Sequence, residues 1–289
     1  MPVQGATTGQ LEDAQRIAIS QMRYTAEHNA PVINMFEHFR LGKGEKSITV
    51  PKVGQMTAAA LTDGVDLVDS EDIGMTTVSL TTGEVGLKVI LTDKLVRQEN
   101  EDMFRVVGRQ MGDAMARKKD RDGIALFTAL NGGTTLGVAA ATLTLPNLSA
   151  CIAFAKANKF PTPVSIVHHP NAIFGVAQNS AMIPSLNNPL PKGYSEDLLR
   201  DFYKFVVNQV AVFEDGNIDA DGSGDGIGAI FSEQSMAYVE SVGFNTERQR
   251  DASLRATELV VTADYGVFEL DDGYGAPMTY DCANPSTTT

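Results

Sequence analysis

Apolar side chains keep a rough helical period through the middle of the chain and predict one long helix. The positions that carry this period are Met103, Val107, Met111, Ala114, Met115, Ala125, Leu126, Ala129 and Leu130. The polar sequence Asn-Glu-Asp at 100–102 can cap the free amides of a first turn, and Asn-Gly-Gly at 131–133 ends the pattern. The predicted helix has about 30 residues and a length of about 45 Å.

Two segments rich in Thr and Val, residues 47–51 and 76–91, have the composition of β-strands. The stretch between them, residues 54–74, is acidic, contains Gly and Ala, and is too long for a tight hairpin turn. We therefore predict a two-stranded arm over residues 45–88 that projects from the body of the protein.

The remainder of the chain mixes helical and strand patterns, which indicates an α+β fold. An amphipathic helix is predicted over residues 11–26, followed by an apolar segment at 32–39. Further strands are predicted at 142–146, 164–167, 209–213, 259–262 and 267–270, and further helices at 147–158, 171–178 and 195–205. Five glycines and four aspartates within residues 215–228 predict a flexible surface loop.

Charges of opposite sign lie on adjacent parts of the chain. Residues 53–87 contain no Lys or Arg, whereas residues 88–121 contain nine basic residues against six acidic ones. Such complementary blocks favour a head-to-tail contact between copies. The candidate contact residues are Asp63, Asp66, Asp69, Glu71, Asp72, Arg117, Lys118, Lys119 and Arg121. A solvated loop beside a solvated helix face stays an alternative interpretation of the same charges.

Composition limits what the chain can do. With 289 residues, 43% of them hydrophobic, it can bury a sizeable core. A net charge of −13 and a pI near 4.7 argue against a dedicated nucleic-acid binder, because neutralising phosphates requires clustered Lys and Arg.

Cys151 and Cys282 are too few for a disulfide framework. Without a signal-peptide pattern or an apolar run of about 18 residues, we expect a protein that is soluble and intracellular when made.

No sequence motif supplies a complete catalytic site, so we predict neither enzyme activity nor a cofactor. The patterns G-x-S-x-G, Walker A, C-x-x-C and H-E-x-x-H are missing from the sequence. His168 and His169 end a predicted buried strand, and we predict a structural role for them rather than metal binding.

An Asp-rich segment matches the first half of a calcium-binding loop. Asp219, Asp221 and Ser223 alternate, and Gly224 takes the sixth position. The twelfth position is Ile230 instead of the bidentate Glu, so we predict no metal site. A calcium-dependent binding protein, or a hydrolase that uses these carboxylates, is the lesser alternative.

Four segments, taken in order, resemble the major capsid proteins of tailed double-stranded-DNA bacteriophages, a shell fold shared with the herpesvirus capsid floor and encapsulin nanocompartments. The segments are residues 92–100, which lead into the long helix; 122–133, which end it; 167–171, Val-His-His-Pro-Asn; and 247–270, the C-terminal return. The resemblance implies an N-terminal arm (1–44), an extended β loop (45–88), a peripheral domain with a spine helix (89–142 and 239–289) and an axial domain (143–238).

The resemblance also implies a function. It predicts self-assembly into hexamers and pentamers of an icosahedral shell that encloses double-stranded DNA without reading its sequence, with separate scaffolding, portal and decoration proteins and no membrane. The protein would assemble in the host cytoplasm and reside in the virion. The axial loop, with Asp215, Asp219, Asp221 and Asp225, would face the axis of a ring of subunits. An encapsulin-type nanocompartment shell remains the alternative.

Overall fold

The structure is a computed structural model that describes residues 31–54, 74–93, 102–179 and 202–285, with the isolated positions Met56, Ala58 and Ala60. Several predicted features lie outside the described residues. They are the helix at 11–26, the cap at 100–101, the first part of the helix at 195–205, and the acidic candidates Asp63, Asp66, Asp69, Glu71 and Asp72.

The described chain contains twelve strands and three α-helices. The strands are β1 (Glu37–Arg40), β2 (Ser47–Lys52), β3 (Thr76–Thr81), β4 (Gly83–Thr92), β5 (Leu136–Gly137), β6 (Val164–His168), β7 (Tyr203–Val207), β8 (Val210–Glu214), β9 (Asp225–Ser232), β10 (Met236–Asp251), β11 (Ala256–Glu269) and β12 (Gly275–Asp281). The helices are α1 (Asp102–Ala125), α2 (Leu145–Ala157) and α3 (Pro170–Asn179). Mixed helices and strands confirm the α+β class.

Helix α1 occupies the predicted place but is shorter than predicted. The α-helix ends at Ala125, and two 3-10 turns, Leu126–Thr128 and Leu130–Gly133, continue the chain. A 3-10 turn has three residues, so Phe127 and Leu130, three positions apart, share one face, and both are fully buried. The positive φ angles of Asn131 and Gly132, 56° and 59°, then turn the chain away.

A four-stranded sheet with the order β1-β10-β11-β4 packs against α1. Strands β10 and β11 form a long antiparallel hairpin, and β4 extends it on the far side. The two strands predicted at 259–262 and 267–270 are therefore one continuous strand, β11. Residues 263–266 join the two runs, and hydrogen bonds to β10 and β4 keep the chain extended there.

The predicted arm is two-stranded but ends earlier than expected. Strand β2 pairs only with β3, in a separate two-stranded sheet. The segment predicted as one strand at 76–91 divides at Thr82, whose hydroxyl donates a hydrogen bond of 2.9 Å to Asp264 in β11. Beyond that point β4 pairs with β11, so the part of the predicted loop from residue 83 to 88 belongs to the four-stranded sheet.

A six-stranded sheet has the order β5-β12-β9-β6-β8-β7. Alternate residues of its central strands face two different cores. Val167, Phe213 and Phe231 point toward α1, whereas their neighbours Ile166, Val212 and Ile230 point toward α2 and α3. The sheet is therefore buried on both faces.

Three predictions in this part of the chain need correction. Strand β12 lies between β5 and β9, so residues 275–281 join the sheet formed by the predicted axial segment rather than the peripheral one. No strand forms at 142–146, where the Thr144 side chain instead caps α2. The end of the helix predicted at 195–205 is strand β7, which a tight turn with positive φ at Asn208 and Gln209 joins to β8.

One apolar core connects both large sheets through α1. Val107, Met111 and Met115 repeat every four residues along α1 and are buried in this core. Gly123 lies farther along the same helix, where a Cβ atom would come within 3.1 Å of Ile33 and Phe36. The missing side chain thus lets residues 33–36 pack directly on the helix, which offsets the roughly 1 kcal/mol that Gly costs in a helix interior.

Replacing Gly228 with Ala tests the close packing of β9 on β6. A methyl group there would overlap the Val167 carbonyl oxygen and the His168 ring, neither of which can move without disturbing the sheet. We expect Gly228→Ala to lower the free energy of unfolding by about 1–3 kcal/mol. Gly222→Ala is the control, because its Cβ would meet nothing within 4 Å, and its effect should stay below about 1 kcal/mol in the same urea titration.

Candidate assembly surfaces

Helix α1 presents a basic face to solvent. Its exposed cations are Arg105, Arg109, Arg117, Lys118 and Arg121. Four of these five are arginines separated by multiples of four positions, with Asp113 at the intervening place, so they share one side of the helix. The sequence had predicted the C-terminal part of this basic face.

Two of these cations already have partners within the subunit. Arg121 Nη2 lies 2.8 Å from Asp219 Oδ1, and Lys118 Nζ lies 2.5 Å from Asp122 Oδ1. The structure therefore brings together one residue from the predicted basic cluster and one from the predicted axial loop. Such exposed pairs contribute at most about 1 kcal/mol, so both cations can still interact with a further anion.

Lys119 is not a surface residue, although the sequence placed it among the contact candidates. It is 7% exposed, because one residue along a helix turns the side chain by about 100°. Its ammonium group donates to Tyr238 Oη at 2.7 Å and to Glu240 Oε1 at 3.2 Å, and lies 4.5 Å from the centre of the Phe244 ring and 5.2 Å from that of Tyr265. Burial lowers the Lys119 pKa, and Glu240 opposes that shift.

Sequence patterns gave no signal for the partners of Lys119. Tyr238, Glu240 and Phe244 are more than a hundred positions away, at the irregular part of β10 where the pairing with β11 shifts register. Lys119 thus attaches the helix to a bulged stretch of the long hairpin, where ladder hydrogen bonds are interrupted.

The segment 215–228 is a loop only as far as residue 224, and its four aspartates differ in their surroundings. Asp215 and Asp225 are buried, whereas Asp219 and Asp221 are exposed. Residues from 225 onward belong to strand β9 rather than to a loop. The loop prediction was wrong for residues 225–228, where backbone pairing with β12 keeps the chain extended despite its glycines.

Backbone amides occupy Asp221, one of the two carboxylates that resemble calcium ligands, and Arg121 pairs with the other, Asp219. Asp221 Oδ1 accepts hydrogen bonds from the amides of Ser223 and Asp225, at 2.8 and 2.9 Å. These bonds lower the Asp221 pKa. Asp225 Oδ1 accepts the amide of Ala140 at 2.6 Å. Over the ranges that the structure describes, no three His, Cys, Asp or Glu side chains are grouped as a metal ion would require.

His168 lies in the core between β6 and β12. The His169 amide donates to His168 Nδ1 at 2.9 Å, so Nε2 carries the proton and donates to the Met278 carbonyl at 3.2 Å. Complete burial lowers the pKa of His168 to about 4, which keeps the ring neutral. Burial also raises the pKa of the nearby Cys282 thiol to about 11, so it carries little thiolate at neutral pH.

The β2–β3 arm contacts its own subunit at both ends of the strand pair, and the residues just beyond the pair are exposed. Leu80, near the base, is fully buried beside β1 and β10, and Lys52, at the far end of β2, places its Nζ 2.6 Å from Oδ1 of Asp271, which follows β11. Beyond these anchors, large apolar side chains face solvent. Val53, Met56 and Met75 are 55%, 56% and 64% exposed. Exposed apolar side chains at one place on a surface commonly mark an interaction site.

A family model of phage capsid proteins matches residues 75–276, more than half of the 289 residues. The chain belongs to this phage capsid protein family. The match includes β3, all three α-helices and strands from both large sheets. It confirms the resemblance drawn from the sequence and identifies the chain as a structural major capsid protein.

Solved structures agree with the capsid protein in fold. The capsid of cyanophage P-SCSP1u matches with a TM-score of 0.64 and 15% identity over 86% of this chain and 88% of that one. The cyanophage Pam1 capsid has a TM-score of 0.66 and 11% identity, with 87% and 89% covered. The head of Helicobacter pylori phage KHP40 has a TM-score of 0.67 and 10% identity, with 88% and 91% covered. No curated protein matches significantly.

Membership of this family favours the phage shell over the encapsulin alternative. A capsid protein self-assembles into the shell of a virion, and that is where this chain acts. None of the helices in the described part of the capsid protein combines the length and apolar composition of a membrane crossing.

Replacing Lys119 with Met tests its role in holding the capsid protein's long hairpin against α1. The change keeps the apolar stem but leaves Tyr238 Oη and Glu240 without their cation. We expect the free energy of unfolding to fall by about 1–3 kcal/mol. The adjacent exposed Lys118→Met is the matched control and should change it by less than about 0.5 kcal/mol. Equal losses in a urea titration of the two variants would contradict the assignment.

Proposed function

We propose that the capsid protein forms the hexamers and pentamers of an icosahedral shell that encloses packaged double-stranded DNA. The observation that carries this proposal is the β2–β3 arm, whose base is anchored by Leu80 and whose far end exposes Val53, Met56 and Met75. The exposed residues at that end can gain apolar burial from a neighbour. A structural role of this type needs neither a catalytic site nor a cofactor.

The charge pattern supports a specific contact for the arm. The acidic residues Asp63, Asp66, Asp69, Glu71 and Asp72 belong to the segment between β2 and β3, and the proposed partner is the basic face of α1 on the next subunit. Its candidate residues there are Arg117, Lys118 and Arg121, and Lys119 is excluded because it is buried. One exposed ion pair contributes little free energy, but identical contacts repeated around a ring of subunits contribute together to its stability.

The two large sheets correspond to the proposed domains. The four-stranded sheet with α1 forms the peripheral domain, and the six-stranded sheet with α2 and α3 forms the axial domain, which also includes β12. In this arrangement Asp219 and Asp221 lie on the axial domain, in a loop that would approach the axis of a ring. Residues 1–44 would form the N-terminal arm.

The proposed relation to DNA is enclosure without sequence recognition. A net charge of −13 gives the capsid protein little attraction for phosphates, so packaged DNA would remain free to leave. We propose that separate scaffolding, portal and decoration proteins complete the particle, and that assembly takes place in the host cytoplasm.

Self-assembly of the purified capsid protein tests the proposed function. With and without a coexpressed scaffold, it should form capsomers, tubes or closed shells in negative-stain electron microscopy. Light scattering should accordingly report masses far above the 30.9 kDa of one chain. A monomer of 30.9 kDa at every concentration and ionic strength would refute the proposal.

Reversing the charges of Asp66, Asp69 and Asp72 to Lys tests the arm contact. The subunit should fold normally by circular dichroism but yield at least about tenfold fewer shells, because like charges would then face α1 of the neighbour. The matched control reverses Glu84, Glu233 and Glu247, three exposed carboxylates elsewhere, with the same change in net charge. Adding Arg117→Glu and Lys118→Glu to the first variant should restore part of the yield. Unchanged shell yield in the first variant would remove the electrostatic contact.

A further inference from the structure

A buried carboxyl group connects three separate parts of the subunit. Asp120 on α1 is 0% exposed. The Val32 amide donates to its Oδ1 at 3.1 Å, and the Asn217 side-chain amide donates to its Oδ2 at 2.8 Å. The residue thus joins α1 to the chain before β1 and to the segment after β8.

A second buried carboxyl group faces the first. Asp215 is 2% exposed, and its Oδ1 accepts the Asn217 backbone amide at 2.8 Å. Its Oδ2 is buried, and no donor among the described residues reaches it. Asn217 donates to both carboxyl groups, with its backbone amide to Asp215 and its side-chain amide to Asp120. The atom without a donor therefore belongs to a pair of neighbouring buried carboxyl groups that share Asn217 as a donor.

Two ionised carboxylates buried near each other repel, and neither can donate a hydrogen bond to the other. One proton between them supplies the missing donor and removes one of the two buried charges. Among the described side chains, no cation hydrogen-bonds to Asp120, so the second charge is not neutralised by an ion pair.

The surrounding charged groups do not replace that proton. His169 faces Asp215 from the β6 side, and burial lowers its pKa, which leaves it neutral at pH 7. Arg117 and Asp113 line an open cleft of 310 Å³ beside Asp215, with Phe202, Gly216 and Asn217. Farther along α1, Arg121 pairs with Asp219 and Lys119 points to Glu240.

We propose that Asp120 and Asp215 hold one proton between them, and that this shared proton joins residues 31–36, α1 and the 215–219 segment in a contact that alkaline pH weakens. This contact lies within one subunit and does not depend on shell assembly. The pH-sensitive contact lies between the two large sheets.

The direction of the pH effect follows from the proton count. Burial and the contact with Asp215 raise the pKa of Asp120 from its ordinary 3.8 to about 9. The folded state then binds one proton more than the unfolded state between these two values. The stabilisation is complete below about pH 4 and is lost progressively as the pH rises to about 9. Over this window the unfolding equilibrium constant should rise by up to about tenfold for each unit by which the pH increases.

Infrared spectroscopy of the full chain tests the shared proton directly. The carbonyl band of a protonated carboxylic acid should be present at pH 7, when ordinary Asp and Glu side chains are ionised, and should vanish with a midpoint near pH 9. A spectrum without this band at pH 7 would overturn the proposal. The measurement reads protonation in subunits and shells alike, so its failure is distinguishable from a failure to assemble.

Asp215→Asn is the matching variant, because an amide donates where the proton lies and keeps the pair's net charge at −1. Its Oδ1 can still accept the Asn217 amide. The acid band should disappear. Between pH 5 and 8 the unfolding equilibrium constant should also rise less steeply with pH than in wild type, by up to about tenfold less per pH unit. Asp219→Asn, on the same segment but exposed, should keep both properties. A variant Asp215→Asn that retains the band or the slope would contradict the proposal.

Discussion

The apolar stripe of α1 is the constraint on which the rest of the subunit depends. Val107, Met111 and Met115 lie in a core that both large sheets share, so the helix holds together two sheets whose described strands do not pair with each other. The core also includes Phe231, whose ring lies 5.8 Å from Phe36 and 5.6 Å from Phe127. A single helix can therefore set the relative position of the strands that carry the arm and the strands that carry the axial segment.

Burial of this helix face also explains its two most unusual side chains. Lys119 and Asp120 are consecutive, and both are removed from solvent. Removing a charge from water is costly unless it is paired or neutralised, and the two residues meet this demand in different ways. Lys119 keeps its charge among aromatic rings and beside Glu240, whereas Asp120 is neutralised in part by a proton shared with Asp215. Each solution connects α1 to a distant part of the chain.

The capsid family membership gives these features a common purpose. A shell subunit must be rigid within itself and must present extended elements to its neighbours. The core around α1 supplies the rigidity, and the β2–β3 arm supplies an extended element with exposed Val53 and Met75. The exposed arginines of α1 lie outside the core, so they are available for contacts without disturbing the subunit.

The sequence alone determined the elements whose patterns are local. A period near four over residues 102–125 and Thr- and Val-rich strands at the arm predicted α1 and the β2–β3 pair, because neighbouring residues decide helix and strand patterns. Only the tertiary structure decided which partners meet across long separations. It placed β12 beside β9, turned Lys119 inward to Tyr238, and set Asp215 against Asp120. These contacts join positions about 50 to 120 apart, and their energies depend on burial and pairing that no local pattern contains.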